Sequence, residues 1–262
     1  MRCLWALVDG PAAGEAEADL IVPDGCAEII LNRAERFERH LPDAPPRLQS
    51  SVLLVGALSA PIRVASTGGV DLLGARLEPG GLHGLLGVPA HELSDRDLCV
   101  SDLDPGLHAQ LESARTRSRR AAGLQALQRA LLQQFERRAA RPGLVWAALR
   151  LVESGARSVD ELSARMGVHR RALERSFRRE LGLTPKHLLR IQRLQGVLAR
   201  LEEGPAPRGW AQLALEHGFS DQSHLIRDFR LLAGNTPQRY LEQRTDLARV
   251  FEAGEVSHPS NS

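Results

Sequence analysis

The sequence predicts an α+β chain of two domains. The front is β-rich, barrel- or sandwich-like, and the back is all-α, with two helix-turn-helix units joined by a long helix. Three observations carry this. Short aliphatic runs punctuated by Gly and Pro fill residues 1–104, as in all-β sandwiches and barrels. Residues 105–141 turn to Ala, Leu, Gln and Arg and read as a helical linker. Residues 142–250 carry one helical pattern twice, and a polar tail, 251–262, is expected to be disordered.

In the front, Leu20-Ile21-Val22 reads as a strand before the turn Pro23-Asp24-Gly25, and Glu28–Leu31 as a second, ended by Asn32. Ser51–Leu58 and Val70–Leu77 are further aliphatic strands, closed by Pro61 and by Pro79-Gly80-Gly81. Leu82–Gly87 and Pro89–Leu93 are candidate short helices. Beyond Pro105, Leu124, Leu127, Leu131 and Phe135 recur at helical spacing. They mark one amphipathic helix, ended by Arg141-Pro142-Gly143. Its leucine stripe packs on its own domain or, alternatively, forms a dimer seam.

In the back, Ser158-Val159-Asp160-Glu161 is a capping box, in which the serine oxygen accepts an amide proton and the glutamate reaches back. The helix behind it stops at Gly167, and a second runs from His169 to Leu181 and stops at Gly182. Thr184-Pro185 starts a long helix to about Glu203, with Thr as N-cap and Pro in the first turn. Gly204-Pro205-Ala206-Pro207 breaks it.

The pattern then recurs. Leu173, Arg175, Phe177, Gly182, Thr184 and Pro185 each find the same residue 52 positions later, at Leu225, Arg227, Phe229, Gly234, Thr236 and Pro237. Leu162 and Gly167 pair with Leu213 and Gly218 at 51, so the second turn holds one extra residue. A pattern kept in register over so many positions marks a duplicated unit. Each unit is a short helix, a glycine turn and a second helix, the helix-turn-helix plan. Leu162, Met166, Leu173 and Leu181 are the expected core of the first unit; Leu213, Leu225 and Leu232 serve the second. The intervening helix, about 28 Å long at 1.5 Å per residue, can hold two reading helices over successive major-groove segments about 34 Å apart.

Charge agrees once it is divided. The total is +2, which by itself argues against a nucleic-acid partner. Residues 1–140 hold 15 basic and 18 acidic side chains, whereas 141–250 hold 19 and 12, a local +7. Nearly all of that is arginine, whose planar fork suits phosphates and guanine edges. Cys3, Cys26 and Cys99 lie far apart, which excludes a disulfide scaffold and paired-cysteine zinc motifs. No apolar run approaches the ~20 residues of a membrane span, and MRCLWALVDG lacks a signal peptide's apolar region. A cytoplasmic protein without a membrane partner is expected.

The second unit, Ala214-Leu215-Glu216-His217-Gly218-Phe219-Ser220-Asp221-Gln222-Ser223-His224-Leu225-Ile226-Arg227-Asp228-Phe229 followed by Gly234-Asn235-Thr236-Pro237-Gln238-Arg239-Tyr240, resembles the AraC/XylS family of bacterial transcription regulators. The resemblance covers about 145–245 and departs from the family at Leu225, where an aromatic is usual. Pro23–Glu28, Leu73–Gly81 and Leu86–Pro89 resemble an uncharacterised β-rich domain often fused to such units. The resemblance implies a regulator, an activator by family habit, with double-stranded promoter DNA and RNA polymerase as partners. The front would act as a sensor; a small-molecule effector and a homodimer stay open.

Family positions for base contact map onto Arg170, Arg171, Glu174 and Arg175 in unit one and onto Gln222, Ser223, His224 and Arg227 in unit two. The chemistry agrees: arginine forks onto guanine O6 and N7, glutamine pairs with adenine N6 and N7, and glutamate accepts from cytosine N4. Arg178, Arg179 and Arg230 suit phosphates or plain solvation. Arg175 or Arg227 could instead form a structural ion pair, with Glu180 or Asp228 as partner.

The rival reading makes the front an enzyme or a cupin-like metal module. His40, His83, His91 and His108 are isolated, without ligand spacing. Cys26 reads as a buried thiol after a turn rather than a nucleophile, and no G-x-S-x-G elbow occurs. No enzyme activity, metal or cofactor is expected.

Overall fold

The computed structural model describes residues 1–9, 18–41, 44–138, 143–202 and 209–242. Its first half contains the strands β1 (Cys3–Asp9), β2 (Asp19–Ile21), β3 (Glu28–Asn32), β4 (Phe37–Leu41), β5 (Ala44–Leu48), β6 (Val52–Val55), β7 (Ile62–Ser66) and β8 (Val70–Arg76). Helix α1 (Gly81–Leu86), a 3-10 turn at Ala90–Glu92 and strand β9 (Asp97–Cys99) follow. The strands form two open antiparallel sheets, one ordered β1-β8-β3-β6-β9 and the other β2-β7-β4-β5. Between them lie Trp5, Ile30, Leu53 and Leu72 from the larger sheet and Ile21, Phe37 and Val64 from the smaller.

The larger sheet is covered on its other face as well, which explains its sequence. β3 and β6 are buried at every position, so they read as unbroken aliphatic runs rather than as alternation. The cover is α2 (Pro105–Arg115) and α3 (Arg120–Arg137). Leu107, Leu111, Leu127 and Leu131 are fully buried against Ile29, Leu31 and Leu54. At about 1.5–3 kcal/mol for each fully buried leucine, this contact belongs to the sheet's own core. The single helix expected over 105–141 is therefore corrected: the chain breaks at Thr116–Arg119 into two helices. Their leucines pack against the sheet of the β-rich half, the first of the two readings of the stripe. Of the expected end signal, Arg141 and Pro142 lie outside the described residues.

Two polar clusters fix the sheets. Arg76 donates to Glu28 Oε1 at 2.8 Å, and Trp5 Nε1 donates to Glu28 Oε2 at 3.0 Å. Burial pushes the Glu28 carboxyl up to about 7 against the pull of Arg76. Gly74 pairs with Trp5 across the ladder, and an added Cβ there would fall 2.0 Å from the indole. Buried Asp97 on β9 accepts from Arg39 on β4 at 2.8 Å and also holds Arg47 on β5 and Gln49, so one carboxylate ties the sheets together.

The second half is helical: α4 (Leu144–Glu153), α5 (Val159–Met166), α6 (Arg170–Glu180), α7 (Pro185–Glu202), α8 (Trp210–Glu216), α9 (Gln222–Ala233) and α10 (Pro237–Glu242). Ser158 caps α5 by accepting from the Glu161 amide at 3.1 Å, while the Glu161 carboxylate reaches back to the Arg157 amide at 2.9 Å. Gly167, Gly218 and Gly234 have φ of +63°, +78° and +67°, the left-handed conformation that stops a helix without a Cβ clash. The Gly204–Pro207 break and the tail 251–262 lie outside the described residues.

The halves touch along α6 and α7. Val22 and Ala57 of the sheet half sit in the core of the helical half. His187 Nε2 lies 2.9 Å from the Ser59 carbonyl, and Gln195 donates to the Pro23 carbonyl at 2.8 Å. An added Cβ on Gly182 would come within 2.9 Å of the Ala90 carbonyl oxygen, so only glycine permits this approach.

Candidate nucleic-acid interface

Each helix-turn-helix unit ends in a helix with one apolar stripe. On α6 the stripe is Leu173 and Phe177, continued by buried Glu180. Spaced at 3.6 residues per turn, Arg171, Arg175 and Arg178 fall on the opposite side and are exposed. On α9, Leu225, Phe229 and Leu232 are buried, while Ser223, Arg227 and Arg230 face away and are exposed. The two faces use corresponding positions of the repeat.

The remaining candidates divide. Arg170, 55% exposed, is held by Glu174 at 3.1 Å and by Asp160 at 3.3 Å, so these residues order one another at the start of α6. Gln222 is exposed in the first turn of α9, behind the N-cap Asp221, whose carboxylate accepts from the His224 amide at 2.7 Å. His224 contacts its own turn and the Asp228 cluster. The Ser220 amide donates to its Nδ1 at 3.3 Å, and its Nε2 lies 3.6 Å from Asp228. Its ring also stands edge-on to Phe219 with centroids 5.3 Å apart.

The structural ion pairs weighed for Arg175 and Arg227 belong to other residues. Asp228, 3% exposed, binds Arg190 of α7 at 2.6 and 3.1 Å and has Arg193 at 3.7 Å. Glu180 accepts from the Val145 amide at 3.2 Å, capping α4, with Arg179 at 3.6 Å. Gly143 makes room for that cap, because an added Cβ would fall 2.0 Å from the carboxylate. Among the described residues Arg171, Arg175, Arg178 and Arg227 form no ion pair, so their guanidinium groups face solvent unspent.

Sequence reasoning missed the Asp228 cluster, which locks α9 to α7. The residue types were visible, but helical periodicity does not say which helices cross. It also missed a cavity of about 60 Å³ between the sheets, walled by aliphatic side chains such as Ile21, Leu53 and Val64, with Asp24, Cys26 and Glu28 as polar lining. Burial pushes the Cys26 thiol well up, which disfavours the thiolate a nucleophile needs. No group of three or more His, Cys, Asp or Glu that could hold a metal occurs among the described residues. No described helix is long and apolar enough to cross a membrane.

Residues 162–243 match the helix-turn-helix domain family, and residues 1–99 match a domain of unknown function, DUF6597. No curated protein matches the chain. Among solved structures it is similar to ToxT from Vibrio cholerae, at 11% identity over 93% of this chain and 99% of that chain, with a TM-score of 0.50. It is also similar to ToxT bound to (E)-4-(8-methylnaphthalen-1-yl)but-3-enoic acid, at 11% identity over 93% of this chain and 100% of that chain, TM-score 0.50. At these identities the likeness is one of fold.

Proposed function

We propose that the chain is a DNA-binding transcription regulator of the AraC type, and that it reads promoter DNA by placing α6 and α9 in successive major-groove segments. The observation that carries this is the repeat itself: two equivalent helices, each with unpaired arginines opposite its buried stripe, fastened to one connecting helix. Arg171, Arg175, Gln222, Ser223 and Arg227 touch base edges, and Arg178 and Arg230 touch phosphates. Arg170 and Glu174 shape the start of α6, and His224 positions α9. The reader begins at about residue 143, and α2 and α3 go with the sheet half whose core they complete.

The test is a mobility-shift titration on the DNA flanking the chain's own gene. A bidentate base contact is worth about 1–3 kcal/mol, so Arg171→Ala and Gln222→Ala should each weaken binding about 10- to 100-fold and together abolish sequence-specific retention. Unchanged footprints would overturn the assignment of α6 and α9. Activation, with RNA polymerase as partner, rests on the family resemblance, and a reporter fused to the bound promoter decides it.

We further propose that the cavity between the sheets takes an effector. ToxT has been solved with a largely apolar carboxylic acid. In this chain the cavity is apolar too, but its polar lining includes the acids Asp24 and Glu28 and no basic residue. Both acids already pair with Arg76, at 3.4 and 2.8 Å, while Asp24 Oδ2 lacks a hydrogen-bond partner, so the cavity favours a small apolar molecule with a neutral hydrogen-bond donor. Lining residues Val22, Asp24 and Leu58 alternate with Pro23, Gly25 and Ser59, which touch α7. Filling the cavity therefore acts on the helix that carries both reading heads.

A further inference from the structure

A second cavity, of about 310 Å³, lies where three parts of the chain meet. Arg2 and Glu78 reach it from the sheet half, Glu153 and Arg157 from α4 and the segment before α5, and Gln192 and Arg193 from α7. Three guanidinium groups thus face two carboxylates, and one carboxylate is already engaged: Glu153 pairs with Arg150 at 3.0 Å. Arg157 forms no ion pair among the described residues.

Arg193 is largely buried, with its guanidinium 5.3 Å from the Phe219 ring centroid, yet its ion pairing is weak. Its side chain is 16% exposed, and its nearest carboxylate oxygen, on Asp228, is 3.7 Å away and shared with Arg190 at closer range. Its buried Nε has no hydrogen-bond partner. Burial holds its guanidinium below the ordinary arginine value, as expected of a cation whose desolvation is not fully compensated. Arg157 and Arg193 also converge. An added Cβ on Gly218 would lie 3.6 Å from Arg157 Nη1 and 3.6 Å from Arg193 Cδ, so both side chains flank the turn of the second helix-turn-helix unit.

We propose that this cavity binds the oxyanion group, phosphate or carboxylate, of a small metabolite, between Arg157 and Arg193 and with Arg2 contributing from the sheet half. Guanidinium forks suit such groups, and the cavity is of metabolite size. An anion held there joins the sheet half, the first unit and α7 at a point that leans on the turn of the second unit. It therefore favours one arrangement of the two reading heads. The proposal does not depend on DNA binding or on the cavity between the sheets.

The test is thermal unfolding of the full chain in inorganic phosphate or in malonate, each against chloride at matched ionic strength. A ligand that binds the folded state raises its melting temperature by mass action. A rise of about 3 °C at tenfold saturation is expected for a domain of this size with at least one of the two anions, and the more effective anion identifies the group. Arg157→Gln, at an exposed position without an ion pair, should fold normally and lose the rise, and Arg2→Gln should lose part of it. The double variant Arg171→Ala, Arg175→Ala should keep the rise. No rise with either anion, an undiminished rise in Arg157→Gln, or its loss in the α6 variant would each overturn the proposal, the last by placing the anion on the recognition helix.

Discussion

Asp228 fastens the second reading head to the bridge. Its carboxylate is 3% exposed and faces Arg190, Arg193 and His224. Replacing it by alanine strands two largely buried guanidinium groups, and breaking a buried pair costs about 3–5 kcal/mol. Asp228→Ala should therefore lose that amount in urea unfolding, while Asp228→Asn, which keeps an acceptor and the shape, should lose less. A loss under about 1 kcal/mol in the alanine variant would mean that both arginines simply turn to solvent. Little of this was legible in the sequence. Asp228 adjoins Arg227 in the chain, yet the helix turns them to opposite sides, and its true partners lie 38 and 35 positions earlier on α7. The contacts of His224 were hidden for the same reason: the sequence does not show that its ring nitrogens face Ser220 and Asp228. The glycines at 167, 218 and 234 were legible, because a positive φ is a local demand that one residue type meets.

The legibility of elements follows the same division. The helices of the first unit and the long helix after it carry local start and stop marks, such as Ser158 and Thr184 as caps, so their spans were legible almost complete. The strands β4, β5 and β7 carry no such marks. β5 is an exposed edge strand with two prolines, and its place depends on partners distant in sequence. The break between α2 and α3 was equally silent, since the segment Glu112–Gly123 holds no proline to mark it. α7 bears a pH-sensitive contact in its first turn. Burial holds His187 below its ordinary value near 6.5 while its Nε2 faces the Ser59 carbonyl. Below pH 6.5 the unfolded chain takes the proton more readily than the folded one. The stability this residue contributes is thus present above pH 6.5 and lost as pH falls through its lowered value. Glu28, pushed up to about 7, runs the other way: its contribution is present at low pH and lost as pH rises through 7. A comparison of variants separates them. Between pH 7.5 and 5.5 the melting temperature of His187→Gln, which keeps a donor for Ser59, should fall less than that of the unaltered chain. Equal falls would show that His187 is not the titrating group.

At the scale of the whole molecule, the proposed reading has one chain carry what a dimer of simpler helix-turn-helix proteins supplies, and this sets a spacing rule. α7 spans 18 residues, about 27 Å at 1.5 Å per residue. It is fastened near its middle by Asp228 to α9, and to the sheet half through His187 and Gln195. If α6 and α9 read DNA as proposed, two heads on so stiff a bridge would reach adjacent major-groove segments on one face of the duplex, about one turn or 34 Å apart. Inserting 5 base pairs between the half-sites turns the second segment to the far side. Inserting 10 restores the face but adds another 34 Å, beyond what the bridge spans. Both insertions should therefore remove one head's base contacts and weaken binding on the order of 100-fold, since each lost base pair typically costs about 1–3 kcal/mol. Two heads on a flexible tether would recover with 10 base pairs. Recovery at that spacing in a mobility-shift series would show that α7 does not set the distance. The residual binding should still weaken linearly in log–log salt plots, because the local +7 of residues 141–250 releases counterions from either head alone.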